Sequence, residues 1–106
     1  KIFKDMWESE KIVESKKIAK LIQRSLVRYL RLNNYRVTDL GTKYAPFAVL
    51  KNSRRKINRD LFPPVSILIE IGFLSNKIES KKLSKASFRQ RIAEGIAVGI
   101  KSYIMQ

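Results

Sequence analysis

Residues 63–76 read Pro63-Pro64-Val65-Ser66-Ile67-Leu68-Ile69-Glu70-Ile71-Gly72-Phe73-Leu74-Ser75-Asn76, and the fold turns on how this stretch is read. The proline pair breaks any helix entering it. Val65, Ile67, Ile69 and Ile71 fall on one face of an extended segment, and Ser66, Leu68 and Glu70 on the other. So little polar alternation predicts a strand buried on both faces, as in a covered α/β sheet. One acid interrupts the run. Glu70 stands at its C-terminal end, two residues before Gly72. A bare carboxylate is rarely buried without a partner or a task, and ligand crevices in open α/β sheets form at that end of a strand. On the residues alone, Glu70 is either a site carboxylate or a structural acid paired with a Lys or Arg.

Upstream, the pattern is helical from Ser9 to Leu32. Ile18, Ala19, Ile22, Leu26, Tyr29 and Leu30 recur at three- and four-residue spacing and make one apolar face. Ser9 is positioned to cap the start, and residues 1–9 show no clear period, with Trp7 a packing anchor. Asn33-Asn34 ends the helix, because Asn tolerates the left-handed conformation found there. Lys17, Lys20, Arg24, Arg28 and Arg31 form a separate basic stripe, which is either an ordinary solvated face or a track for an anionic polymer. Tyr35 to Lys43 is a connector, and Phe47 to Leu50 a second, short strand. Asn52 to Phe62 is a basic surface loop, either tolerated variation or a clamp for an anionic strand.

Downstream, Asn76 and Glu79 have capping-box spacing for a short helix. Ser87 and Gln90 repeat the signal and open the last helix. Phe88, Ile92, Ile96, Ile100 and Tyr103 share one face of it, expected to lie on the sheet. Gly95 and Gly99 are poor helix formers, so their four-residue spacing predicts close approach to another element.

Composition bounds the rest. A chain of 106 residues is one domain at most, and 44% hydrophobic content is that of a globular protein. Lys and Arg outnumber Asp and Glu by 23 to 9, and the net charge of +14 either favours polyanionic partners or reflects Lys spread over solvated faces with no partner. With no His and no Cys, the chain offers no Ser-His or Cys-His triad, no disulfide and no zinc site of the His-rich kind. No apolar run approaches the ~20 residues needed to span a membrane. The chain begins with Lys1 and shows no signal peptide, which leaves room for a start upstream. Two strands do not make a well-covered sheet. The chain is therefore read as part of an α/β domain whose other strands are absent.

Three motifs, in one order, resemble a known family. Pro64, Leu68, Glu70, Gly72, Phe73, Ser75, Asn76, Glu79 and Leu83 stand in register with the signature of the zinc-dependent N-acetylmuramoyl-L-alanine amidases of type 3, the peptidoglycan amidases of bacterial cell-wall remodelling. Ala45 to Leu50 is similar to the family's preceding strand, and Glu14-Ser15 through Ile22-Gln23 to the helix before it. The likeness covers about residues 10–104. The connector at Asn52 to Phe62 departs from it, at roughly twice the family's usual length.

The resemblance implies the C-terminal half of a mixed, mostly parallel sheet covered by helices on both faces. Residues 1–106 would be the C-terminal part of a single amidase catalytic domain. The zinc ligands, two His and one Glu, would lie in an N-terminal half with no counterpart here, and the chain alone would be inactive. Glu70 would be the catalytic carboxylate, and Lys43 would border the substrate groove. The activity implied is hydrolysis of the amide between N-acetylmuramic acid and the L-alanine of the stem peptide. Peptidoglycan is then the partner, an activator protein a further one, and the cell envelope, periplasmic or extracellular, the location. Cell division is the setting. The alternative is a non-catalytic basic module binding wall polymer or nucleic acid, and a third is a degenerate amidase fragment with a scaffold role. Helix-turn-helix spacing, zinc-finger ligands and aromatic-rich RNA motifs are all lacking, which disfavours nucleic acid.

Overall fold

The computed structural model describes residues 2–43 and 65–106, with side chains described from Ile12 onward. The expectations for Trp7, for the strand at Phe47–Leu50, for the loop at Asn52–Phe62 and for the Pro63-Pro64 break lie outside the described residues and side chains.

Helix α1 spans Ile2–Leu32, α2 spans Lys77–Leu83 and α3 spans Ala86–Ile104. Helix α1 starts well before Ser9, so Ser9 lies in its interior and not at its start. No Gly or Pro occurs between Ile2 and Leu32 to break the helix, and a lone Ser competes only weakly with helical hydrogen bonds. The end is where the two asparagines place it. Asn34 takes a positive φ of 69°. The Tyr35 N–H then bonds the Leu30 carbonyl at 2.9 Å and the Asn34 N–H bonds the Arg31 carbonyl at 3.1 Å. These two bonds form a Schellman motif and use carbonyls that the last turn would leave unpaired. Its apolar half is present as well, since Tyr35 packs against the cluster that holds Leu30.

Asn76 caps α2 as its position predicts, its side chain accepting from the Ile78 and Glu79 N–H groups. Helix α3 differs from expectation. It begins at Ala86 after Lys85, with no side-chain cap, so Ser87 lies in its first turn.

The core sits between α1 and α3. Ile22, Leu26, Val27 and Leu30 are buried from one helix, Phe88 and Ile92 from the other. The Tyr35 ring meets the Phe88 ring edge-on, with centroids 4.8 Å apart, a favoured aromatic geometry. Gly95 and Gly99 make the approach possible. A Cβ at Gly99 would lie 2.6 Å from the Ile22 Cα, and one at Gly95 would lie 2.8 Å from the Leu26 Cδ1. The apolar face of the last helix therefore packs on another helix and not on a sheet. Ile100, expected on that face, is 38% exposed.

The α/β expectation is overturned. Among the described residues there are three helices and no strand. Residues 65–73 carry no regular secondary structure. A strand exists only when its N–H and C=O groups pair with a neighbour. The two backbone N–H bonds described for this stretch go to side chains instead, Ser66 to Ser15 Oγ at 3.2 Å and Phe73 to Glu79 Oε2 at 2.9 Å. Burial on both faces fails with it. Ile69 packs on the helical core, while Leu68 is 46% and Ile71 48% exposed.

Two carboxylate–phenol bonds cross between α1 and α3. Tyr103 Oη donates to Glu14 Oε2 at 2.6 Å, and Tyr29 Oη to Glu94 Oε1 at 2.9 Å. Each carboxyl is held below its ordinary pKa of 4.5, Glu14 mainly by Tyr103 and Glu94 mainly by Tyr29. A depressed folded pKa means the unfolded chain binds the proton first. The stabilisation is therefore complete above pH 4.5 and is lost as pH falls through the folded values. Thermal unfolding of the chain from pH 7 to pH 3 should show Tm falling below about pH 4.5. Tyr29→Phe with Tyr103→Phe should flatten that acid limb, and an unchanged limb would show that these bonds contribute nothing.

Candidate functional site

The site is built on the end of the extended stretch. Gly72 has a φ of +154°, a region almost confined to glycine, and an added Cβ would lie 3.1 Å from Leu83 Cδ1. After it the chain turns sharply. The Asn76 N–H donates to the Phe73 carbonyl at 3.0 Å, and Asn76 Oδ1 accepts from the N–H groups of Ile78 and Glu79 at 3.0 and 3.1 Å. Glu79 does not close a capping box on the Asn76 N–H. Its Oε2 takes the Phe73 N–H instead, at 2.9 Å. One turn of helix thus pins the backbone immediately after Gly72.

Glu70 stands two residues before that pinned point. Its side chain is exposed, and among the described residues no Lys or Arg pairs with it and no hydrogen bond is made to it. The reading of Glu70 as a structural acid in an ion pair gains no support from the described residues. Ser66, four residues earlier, fastens the start of the stretch to α1 through Ser15 Oγ, and Ile69 fastens its middle to the core. Glu70 is thus presented on a backbone held at both ends.

Lys43 is exposed. It closes the connector that runs from Tyr35, and among the described residues no hydrogen bond or ion pair joins it to Glu70. The connector is anchored elsewhere, by Lys82 Nζ donating to the Arg36 carbonyl at 2.9 Å and by Arg31 Nη2 donating to the Val37 carbonyl at 3.1 Å. Along the basic stripe, Lys17 pairs with Glu14 at 3.1 Å. Arg24, Arg28 and Arg31 line a shallow groove with Val27, Leu32 and Asp39. Among the described residues, no group of three or more His, Cys, Asp or Glu side chains is placed to hold a metal ion.

Two participants were not found from sequence. The tether from Glu79 to the Phe73 N–H was hidden behind the capping-box spacing, which fits either bond. Asp39 in the basic groove carries no local signal at all, because it comes from a connector.

The family model of N-acetylmuramoyl-L-alanine amidase matches residues 3–102. The chain belongs to that family. Among curated relatives, it is 37% identical over 100 residues to the N-acetylmuramoyl-L-alanine amidase AmiC of Escherichia coli O6:H1, covering 93% of this chain and 20% of that one. It is 36% identical over 100 residues to AmiC of Neisseria meningitidis serogroup B, covering 94% and 21%. An endolysin of Bacillus phage SPP1 is 36% identical over 72 residues, covering 68% and 23%. The chain thus spans about a fifth of the length of the first two. No solved structure matches it. For this amidase-family chain, Glu70 and the turn that follows it lie within the matched span. No helix among the described residues is long and apolar enough to cross a membrane.

Proposed function

We propose that the chain is the C-terminal part of the catalytic domain of a zinc-dependent peptidoglycan amidase, and that Glu70 is its catalytic carboxylate. The bond cleaved is the amide between N-acetylmuramic acid and the L-alanine of the stem peptide. The observation that carries the reading is the family match across residues 3–102, with an exposed carboxylate at Glu70 that no described cation neutralises. Glu70 accepts a proton from the attacking water and returns it to the departing alanine nitrogen, the two halves of general acid–base work. Gly72 and the Glu79 tether fix the backbone beside it. Positioning of this kind matters because small displacements of a catalytic group cost rate steeply. Lys43 borders the substrate groove.

The residues of this chain do not fit zinc. The sequence has no His and no Cys, and the described acids do not cluster. In the proposal the metal ligands come from outside these 106 residues, and the chain alone is inactive. The location is the cell envelope, with cell division as the setting and an activator protein as a further partner.

Metal removal tests the division of labour. Release of soluble fragments from purified peptidoglycan by the complete enzyme should stop after dialysis against a chelator and return with zinc. Titration of the 106-residue chain with zinc should show no one-to-one site. Release that survives chelation, or a micromolar site in this chain, would overturn the reading.

A further inference from the structure

The turn after the extended stretch holds one residue, Phe73, by both of its backbone groups. Its carbonyl accepts from the Asn76 N–H at 3.0 Å, and its N–H donates to Glu79 Oε2 at 2.9 Å. The cap of α2 is complete without the Glu79 carboxylate. Asn76 Oδ1 already takes the N–H groups of Ile78 and Glu79. The Asn76 N–H, which a capping box would give to Glu79, goes to the Phe73 carbonyl. The carboxylate therefore serves a residue outside its own helix. It reaches that residue by lying over Gly72, where a Cβ would stand 3.7 Å from Glu79 Cβ and 3.9 Å from its Cδ. Helix α2 is itself anchored. Leu83 packs on the helical core, and Lys82 Nζ donates to the Arg36 carbonyl.

We propose that Glu79 is a positioning residue for Glu70, and that it acts through its bond to the Phe73 N–H. The inference rests on the reading of Glu70 as the catalytic carboxylate. Residues 65–73 carry no regular secondary structure, so no ladder of backbone bonds fixes the direction in which Glu70 points. Ile69 is held by the core on one side of it. On the other side the chain runs into Gly72, the residue type with the widest backbone freedom. The bond from Glu79 removes that freedom at the next peptide. A carboxylate is the stronger acceptor for an N–H, and its stem supplies the reach across Gly72. Without the bond, Gly72 rotates and the Glu70 carboxylate leaves its working position. In this account Glu79 itself moves no proton.

The test is the kcat and KM of the complete, zinc-loaded enzyme on soluble muramoyl-peptide fragments. Glu79→Leu keeps the stem over Gly72 and removes the acceptor. It should lower kcat about 100-fold, as a misplaced catalytic group does, and change KM by less than about twofold. Glu79→Gln keeps an oxygen on the same stem and should restore kcat to within about threefold of the wild type. In a Glu70→Gln background, Glu79→Leu should cause no further loss, because no carboxylate is left to place. A merely structural role predicts the reverse, with losses that multiply whatever stands at position 70. The inference is overturned by normal kcat in Glu79→Leu, by a rise in KM alone, by a Glu79→Gln enzyme as slow as Glu79→Leu, or by multiplying losses. The multiplication arm decides the matter even if Glu79→Leu lowers Tm. Near-normal turnover in Glu70→Gln would overturn the catalytic reading and this inference together. An inactive Glu70→Gln beside a normal Glu79→Leu would overturn this inference alone.

Discussion

Glu70→Gln in the complete enzyme should reduce peptidoglycan turnover by about 100- to 10,000-fold, the range in which a general acid–base group contributes, while Tm and zinc content stay as in the wild type. The two side chains are nearly isosteric. Only the capacity to take and return a proton is removed. The stability half of the expectation comes from the structure. Glu70 is exposed, and among the described residues its carboxylate has no partner to lose. A buried ion pair broken at one end would cost roughly 3–5 kcal/mol, and activity would then fall because the protein unfolds. Near-normal turnover in a folded, zinc-loaded Glu70→Gln protein would remove Glu70 from the reaction.

Gly99→Ala should destabilise the fold although it replaces a poor helix former with the best. In an isolated helix the change is worth up to ~1 kcal/mol in favour of Ala. Against it stands the contact with α1. The new methyl would lie 2.6 Å from the Ile22 Cα and 3.2 Å from its N, and backbone atoms inside a helix move only if the helices separate. Ile22 is 3% exposed, so separation opens the best-packed part of the core. Overpacking of this kind costs about 1–3 kcal/mol, and the net loss should appear as a Tm several degrees lower. Gly95→Ala should cost less. Its nearest neighbour is the Leu26 side-chain tip at 2.8 Å, which can change rotamer. A Gly99→Ala chain as stable as the wild type would show that α1 and α3 do not approach this closely.

The helices could be read because their determinants are local. Ile22, Leu26 and Leu30 recur at helical spacing and are buried together. Gly95 and Gly99 announce a close contact by their spacing, and the contact exists, although the partner is α1 where a sheet was expected. Asn34 and Asn76 mark ends through conformations and bonds that involve only near neighbours. The sheet could not be read reliably from residues 65–73. β-branched and apolar residues favour an extended chain, but pairing depends on residues distant in sequence. Here Ser15 and Glu79 accept from the two N–H groups described, and among the described residues no strand lies beside the stretch. For the candidate site, Glu70 was visible as an acid out of place in an apolar run. The consequence of its neighbour Glu79 was not, since one carboxylate three residues after Asn76 can bond backward to either of two N–H groups. Asp39 was invisible because the groove it shares with Arg28 joins a helix to a connector.

The measurement that bears most directly on the central claim is the chemistry of the new ends when the complete enzyme digests purified peptidoglycan. An amidase cutting at the muramoyl amide should create one free amino group per cleavage, every one on L-alanine, with no new reducing sugar ends. Loss of those ends in the Glu70→Gln enzyme would assign the cut to this site. New reducing ends, or amino termini on residues other than L-alanine, would contradict the account.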